Sequence, residues 1–296
     1  MNNFPKSLTK NVLVFFFVLI SIVLLSCNKS VDTDKLYSEA KGKLFIIGGG
    51  YKPDYLIDSL IAIANLSDSG YVVVLPMSSQ SPDTASLLAT QMFNKHNITK
   101  VYTVNVDSVF SVTDSVLNLI GSASLIYIPG GDQTRFMKSI QFTKIKQIIQ
   151  QAYHNGTVIA GTSAGAAVMS ERMITGNQSR QTKYTGDFTT IESLNIEIDS
   201  GLALMKTAII DQHFVKRMRM NRLIAVSLEN PDSYCIGIDE STAICVDNNN
   251  VRIIGESQVI VLKHTDTVTT IKNGLLGGKK LELNVFLPGD TFLLIQ

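Results

Sequence analysis

The chain is poor in the residues that build metal centres and disulfide frameworks, with 3 cysteines and 4 histidines in 296 residues. No Cys/His spacing resembles a zinc site and the histidines are scattered, so neither a metal nor another cofactor is expected. Charge of one sign is also lacking. Lys plus Arg number 26 against 25 for Asp plus Glu, which leaves no electrostatic footprint for nucleic acid. Gly48-Gly49-Gly50 falls short of a nucleotide-binding loop, because Pro53 stands where G-x-G-x-x-G needs its third glycine and no Walker lysine follows. Internal repeats and low-complexity tracts are absent too.

What is present begins with an export signature. Lys6 and Lys10 precede an apolar run of fourteen residues, Val12 to Leu25, too short to span a bilayer comfortably. Leu24-Leu25-Ser26-Cys27 then resembles a bacterial lipobox. Residues 1–27 therefore read as a lipoprotein signal, cleaved before Cys27, whose sulfur and new amino group would carry acyl chains. Several chains anchor stably where one is marginal. The expected location is a bacterial membrane, on the periplasmic or cell-surface side, with lipid as the sole membrane contact. An ordinary secretory signal is the alternative. Residues 28–42 read as a polar tether and 43–296 as one domain. Cys235 and Cys245 allow one disulfide, yet both lie in apolar runs that suit free buried thiols.

From Leu44 onward, short continuous apolar runs alternate with amphipathic stretches. The runs Leu44 to Ile47, Tyr71 to Leu75, Lys100 to Asn105, Leu125 to Ile128 and the one ending at Ala160 read as strands. Leu56 to Ala64, Thr84 to His96, Val112 to Gly121 and Phe142 to Asn155 read as helices. This order predicts an α/β three-layer sandwich with a mostly parallel central sheet. After Cys245, short alternating runs predict an antiparallel β extension at the C-terminus. Gly48 to Gly50, Gly130-Gly131 and Gly161 to Gly165 all fall at strand C-terminal ends, where such sheets hold ligands.

The third of these turns is the most informative. Gly161-Thr162-Ser163-Ala164-Gly165 has the form G-x-S-x-G at a strand-to-helix junction, which presents the serine hydroxyl above the sheet as a candidate nucleophile. A base is needed within reach, and His213, in Asp211-Gln212-His213-Phe214 after an apolar run, is the leading one. Arg217, Arg219 and Arg222 follow, a residue type suited to bidentate clamping of carboxylates.

These motifs, with Pro129-Gly130-Gly131-Asp132-Gln133 and Gly237-Ile238-Asp239-Glu240-Ser241-Thr242-Ala243, resemble the cyanophycinase family, which also includes aspartyl dipeptidase (peptidase E), from about Lys43 to about Val246. The resemblance implies a serine exopeptidase that releases β-aspartyl-arginine dipeptides from a poly-aspartate bearing arginine on its side chains. It implies Ser163 as nucleophile, His213 as base, and the N–H groups of Gly131 and Ala164 as the oxyanion hole. Gln133, Asp211, Gln212, Arg217, Arg219 and Arg222 match the substrate-contacting positions, with Asp211 able to receive a substrate guanidinium. A family-like homodimer is also implied. One departure concerns the orienting acid, since Gln178 stands where the family's carboxylate is expected. An amide can orient imidazole without stabilising its charge, and Asp187, Glu192 or Glu171 are alternatives. An α-aspartyl dipeptidase and a weakly active or inactive peptide-binding lipoprotein remain as further readings.

Overall fold

The structure, a computed structural model, describes residues 40–66, 70–106, 111–180, 186, 188–266 and 268–295. The export signal, Cys27, nearly all of the tether, and Asp187 lie outside the described residues.

Five short strands follow the expected apolar runs: β1 (Leu44–Ile47), β2 (Val72–Val74), β3 (Val101–Thr103), β4 (Leu125–Ile128) and β5 (Val158–Thr162). They pair in parallel in the order β1-β5-β4-β2-β3. Parallel strands require crossovers, and these are supplied by α1 (Asp54–Ile63), α2 (Pro82–Lys95), α3 (Asp114–Gly121), α4 (Gln133–Ile140) and α5 (Ile145–Asn155). Local chemistry sets several of the starts. Pro82 occupies the first turn of α2, where a missing N–H costs nothing, and the Asp132 carboxylate caps α4 by accepting from Arg135 N at 3.0 Å.

Because successive strand side chains point to opposite faces, the interior strands feed two cores. Leu44 and Ile46 join Phe136 of α4 and Ile149 of α5, whereas Phe45 and Ile47 join Leu56 and Leu60 of α1 and Phe93 of α2. The result is the expected three-layer α/β arrangement. The helix expected from Phe142 starts at Ile145 instead, and the separate helix α4 just before it is not marked in the sequence pattern.

Beyond β5 come α6 (Ala164–Ala167), the hairpin β6 (Arg172–Gln178) and β7 (Ile196–Ser200), then β8 (Ala208–Gln212), α7 (Met220–Glu229), β9 (Tyr234–Ile238) and β10 (Thr242–Asp247). The later strands are β11 (Asn250–Gly255), β12 (Val259–His264), the hairpin β13 (Thr269–Lys272) and β14 (Leu275–Gly278), β15 (Leu281–Phe286) and β16 (Thr291–Leu293). They are antiparallel as expected, but apart from the β13–β14 hairpin, which pairs only with itself, they divide between two sheets. β10, β11 and β16 extend the main sheet outward from β1, while β12 and β15 join β9 and β8 in a second sheet. Leu223 and Val226 of α7 pack with Ile209, Phe214, Cys235 and Leu262 to cover that second sheet. Cys235 on β9 and Cys245 on β10 are free and buried, and burial pushes the Cys235 thiol up to about 12. The chain crosses from the second sheet to the main one through Asp239, Glu240 and Ser241.

Candidate active site

Ser163 stands between β5 and α6 with φ 55 and ψ −110, a left-handed conformation that costs a non-glycine residue roughly 1–3 kcal/mol. Its flanking glycines allow the turn. A Cβ on Gly161 would lie 2.2 Å from the Gly165 carbonyl oxygen, and one on Gly165 would lie 2.0 Å from that of Ile128. Only without both can α6 settle onto β4 and β5 and lift Ser163 to the sheet edge.

His213 follows β8, and its Nε2 lies 2.9 Å from Ser163 Oγ. Its Nδ1 lies 2.6 Å from Glu240 Oε1. With Glu240 ionised, Nδ1 carries the ring proton and donates it, which leaves Nε2 as the acceptor for the serine hydroxyl. Burial, first of all, and the cations Arg217 and Arg219 hold the His213 pKa below the ordinary 6.5, although the hydrogen bond to Glu240 pulls the other way. A neutral imidazole at pH 7 is the form that can accept a proton.

Three consecutive carbonyls at the end of β1 fix this group. Ile47 O accepts from Ser163 N at 3.1 Å, Gly48 O from His213 N at 2.8 Å, and Gly49 O from Ser241 N at 3.0 Å. The glycines let those loops close in. A Cβ on Gly49, where φ is 121, would fall 2.4 Å from the imidazole Cε1, and one on Gly50 would fall 2.8 Å from the Glu240 side chain. The second glycine turn completes the surroundings. Ser78 Oγ donates to Pro129 O, and Ser78 O accepts from Asp132 N, which brings Gly130 so near that its Cβ would sit 3.3 Å from Ser163 Cβ. Gly131 and Ala164 thus lie on the turns that flank the serine. Among the described residues no three His, Cys, Asp or Glu side chains form a metal-binding group.

Other expected residues are placed differently. Gln178 is not the partner of His213, because its Oε1 accepts from Asn195 Nδ2 at 3.1 Å on the β6–β7 hairpin, and Glu240 occupies the position beside the imidazole. Glu192 is engaged with Thr190 and Arg180. Asp211, Arg219 and Arg222 form a buried charge cluster rather than a substrate clamp. Arg222 Nε donates to Asp211 Oδ2 at 2.8 Å, its Nη2 donates to Oδ1, and Arg219 Nη1 lies 3.6 Å from Oδ1. The Asp211 carboxylate is therefore already neutralised and closed to a substrate guanidinium. Gln212 Oε1 accepts from Arg219, and Gln133 Nε2 donates to the carbonyls of Ile174 and Thr175, fixing β6. Of the six residues expected to meet substrate, five are buried and Arg217 alone is exposed. Glu240 lay within a motif that carried the family resemblance, and the cue was an acidic residue at the break between two apolar runs.

Comparison with known proteins agrees with this geometry. The model of peptidase family S51 matches residues 44–254. A cyanophycinase of Trichormus variabilis is 30% identical over 238 residues, covering 78% of this chain and 77% of that protein. A peptidase E of a Nostoc species is 26% identical over 51% of this chain and 61% of its own length. Among solved structures, a peptidase from an acI-B1 Actinobacterium shares the fold with a TM-score of 0.62 at 19% identity, covering 88% of this chain and 99% of that one. The chain belongs to peptidase family S51 and is a serine-type peptidase.

Two outcomes follow from the placement of the acid and of the arginines. Glu240→Gln should slow labelling of the protein by an organophosphonate serine probe by on the order of 10²-fold or more, because the imidazolium loses its counter-charge. Gln178→Ala should label at close to the wild-type rate, and the reverse ranking would restore Gln178 as the orienting residue. For the arginines, Arg222→Leu should lower unfolding stability by about 3–5 kcal/mol in urea titrations, since the Asp211 carboxylate is left buried and underpaired. Asp211→Leu combined with Arg222→Leu should recover part of that loss, whereas a clamp exposed to substrate would leave the urea midpoint unmoved.

Proposed function

We propose that this serine peptidase is an exported lipoprotein, anchored through Cys27 to a bacterial membrane, that hydrolyses cyanophycin-like polymer to β-aspartyl-arginine dipeptides. The observation that carries its chemistry is the continuous relay from Ser163 Oγ through His213 to Glu240. Ser163 Oγ attacks the scissile carbonyl carbon while its proton passes to His213 Nε2, and Glu240 stabilises the imidazolium so formed. The developing oxyanion is met by the N–H groups of Gly131 and Ala164. Collapse of the tetrahedral intermediate breaks the C–N bond, and His213 returns its proton to the leaving amine. A water molecule then gives a proton to His213 and attacks the serine ester, which releases the product acid and restores Ser163.

The substrate class rests on the cyanophycinase likeness, which extends over more of the chain than the likeness to peptidase E. Exposed Arg217 beside the base supplies a cation for a substrate carboxylate. Action on α-aspartyl dipeptides is the second reading, favoured by the burial of Arg219 and Arg222, which reduces the arginine string to one available side chain. The Glu240 carboxylate beside His213 removes the reason for supposing an inactive binding protein.

Incubation with cyanophycin and with α-aspartyl dipeptides, followed by mass analysis, separates the two readings. Release of β-aspartyl-arginine is expected from the first substrate, with Ser163→Ala lowering kcat by on the order of 10⁴-fold or more. kcat/KM should hold as the pH falls to neutrality and decline only below the ordinary histidine range, because protonation of His213 removes the base. Cleavage of α-aspartyl dipeptides alone would select the second reading. For the anchor, Cys27→Ser should move the protein from the membrane fraction to soluble or unprocessed fractions, and unchanged fractionation would refute lipidation.

A further inference from the structure

Beside Ser163, on the face of the main sheet covered by α1 and α2, lies a pocket of about 320 Å³ that the relay leaves unused. It adjoins the reaction centre through Gly130 and Thr162, the first packed against Ser163 and the second its chain neighbour. One wall is apolar, made by Leu88, Ala89, Met92 and Tyr127. The other is polar, with Ser79, Ser81 and Thr84 at the start of α2 facing Lys52.

Three features give this pocket a preference for an anion. Lys52 is its one charged lining residue, and among the described residues it has no carboxylate partner, its Nζ reaching only Gly50 O at 3.3 Å. Burial pulls the Lys52 pKa below the ordinary lysine value, so an arriving negative charge would relieve a desolvation cost already present. Thr162, a lining residue 6% exposed, has its Oγ1 buried without a hydrogen-bond partner, a donor left over next to the pocket. The positive end of α2 adds to the same preference. A guanidinium, by contrast, would meet a like charge and no acid there, since Asp83 on the same turn of α2 is not part of the lining.

We propose that this pocket is the subsite for a substrate carboxylate, with Lys52 as its counter-ion and the apolar wall carrying the adjoining methylene groups. The proposal rests on the cyanophycin reading, in which each branching arginine is linked through its α-amino group and keeps a free carboxylate. That branch carboxylate and the terminal main-chain carboxylate share the required chemistry.

The test compares wild type with Lys52→Met on three synthetic aspartyl oligomers: arginine-branched, agmatine-branched (no branch carboxylate) and arginine-branched with an amidated C-terminus. Loss of a charge-assisted hydrogen bond predicts that Lys52→Met lowers kcat/KM on the first oligomer by roughly 10- to 100-fold. The loss should shrink at least tenfold on whichever analogue lacks the recognised carboxylate, and that analogue identifies the source. Equal losses on all three oligomers, or none, would overturn the subsite. Failure of the wild type to cleave any of them would reject the cyanophycin reading instead. The subsite is then judged by calorimetric binding of β-aspartyl-arginine and β-aspartyl-agmatine to both proteins. Tighter binding of either dipeptide to wild type than to Lys52→Met supports it, with a preference for the first dipeptide marking the branch carboxylate and equal binding of the two marking the main-chain one. Equal or absent binding by the two proteins overturns it.

Discussion

The site depends on the last carbonyls of one buried strand. Ile47, Gly48 and Gly49 each accept a backbone N–H from a different loop, and those loops carry Ser163, His213 and Glu240. A backbone hydrogen bond contributes only about 0.5–1.5 kcal/mol net, yet three of them aimed from consecutive residues fix three remote segments to one rigid reference. β1 can serve as that reference because it is buried on both faces and paired on both edges, parallel to β5 and antiparallel to β10. The glycines that follow are required by proximity, since the imidazole and the Glu240 side chain occupy the space their Cβ atoms would need.

Electrostatics under the base follow from the same crowding. Asp211 lies two residues before His213 with its side chain wholly buried, and an unpaired carboxylate there would favour a protonated imidazole. Arg222 and Arg219 offset it, while burial, Arg217 and Arg219 help keep His213 neutral. Of the arginines that resembled a clamp, Arg217 and Arg219 thus act on the base, and Arg222 acts on Asp211. Arg222 does use its bidentate geometry, but on a carboxylate of the protein itself.

Much of this was legible in the sequence, and the missing parts share a cause. Periodicity located β1, β2, β4 and β5 because strands buried on both faces read as unbroken apolar runs, and G-x-S-x-G located Ser163 because its glycines answer to local contacts. The division of the C-terminal strands between two sheets was not legible. Val251 to Ile254 and Val259 to Leu262 are similar alternating runs, and only tertiary pairing sends one to β10 and the other to β9. The acid was missed for the same reason. Glu240 is a neighbour of His213 only because β8 and β9 lie in parallel register, with Gln212 opposite Ile238. Likewise, nothing in the arginine spacing separates side chains that face Asp211 from one that faces solvent.

The crossing between the sheets gives the position of Glu240 its rigidity. Only Asp239, Glu240 and Ser241 separate β9 of the second sheet from β10 of the main one. Each is held: Asp239 accepts from Lys216 N and Ser257 Oγ, Glu240 meets His213, and Ser241 N donates to Gly49 O. His213 rides on the second sheet and Ser163 on the main one, so any sliding between the sheets would lengthen the 2.9 Å contact between them. A crossover this short leaves little chain to absorb such sliding. An acid placed on the mobile side of a loop could orient the imidazole only on average, whereas one placed at the junction orients it by the same bonds that hold the two sheets in register.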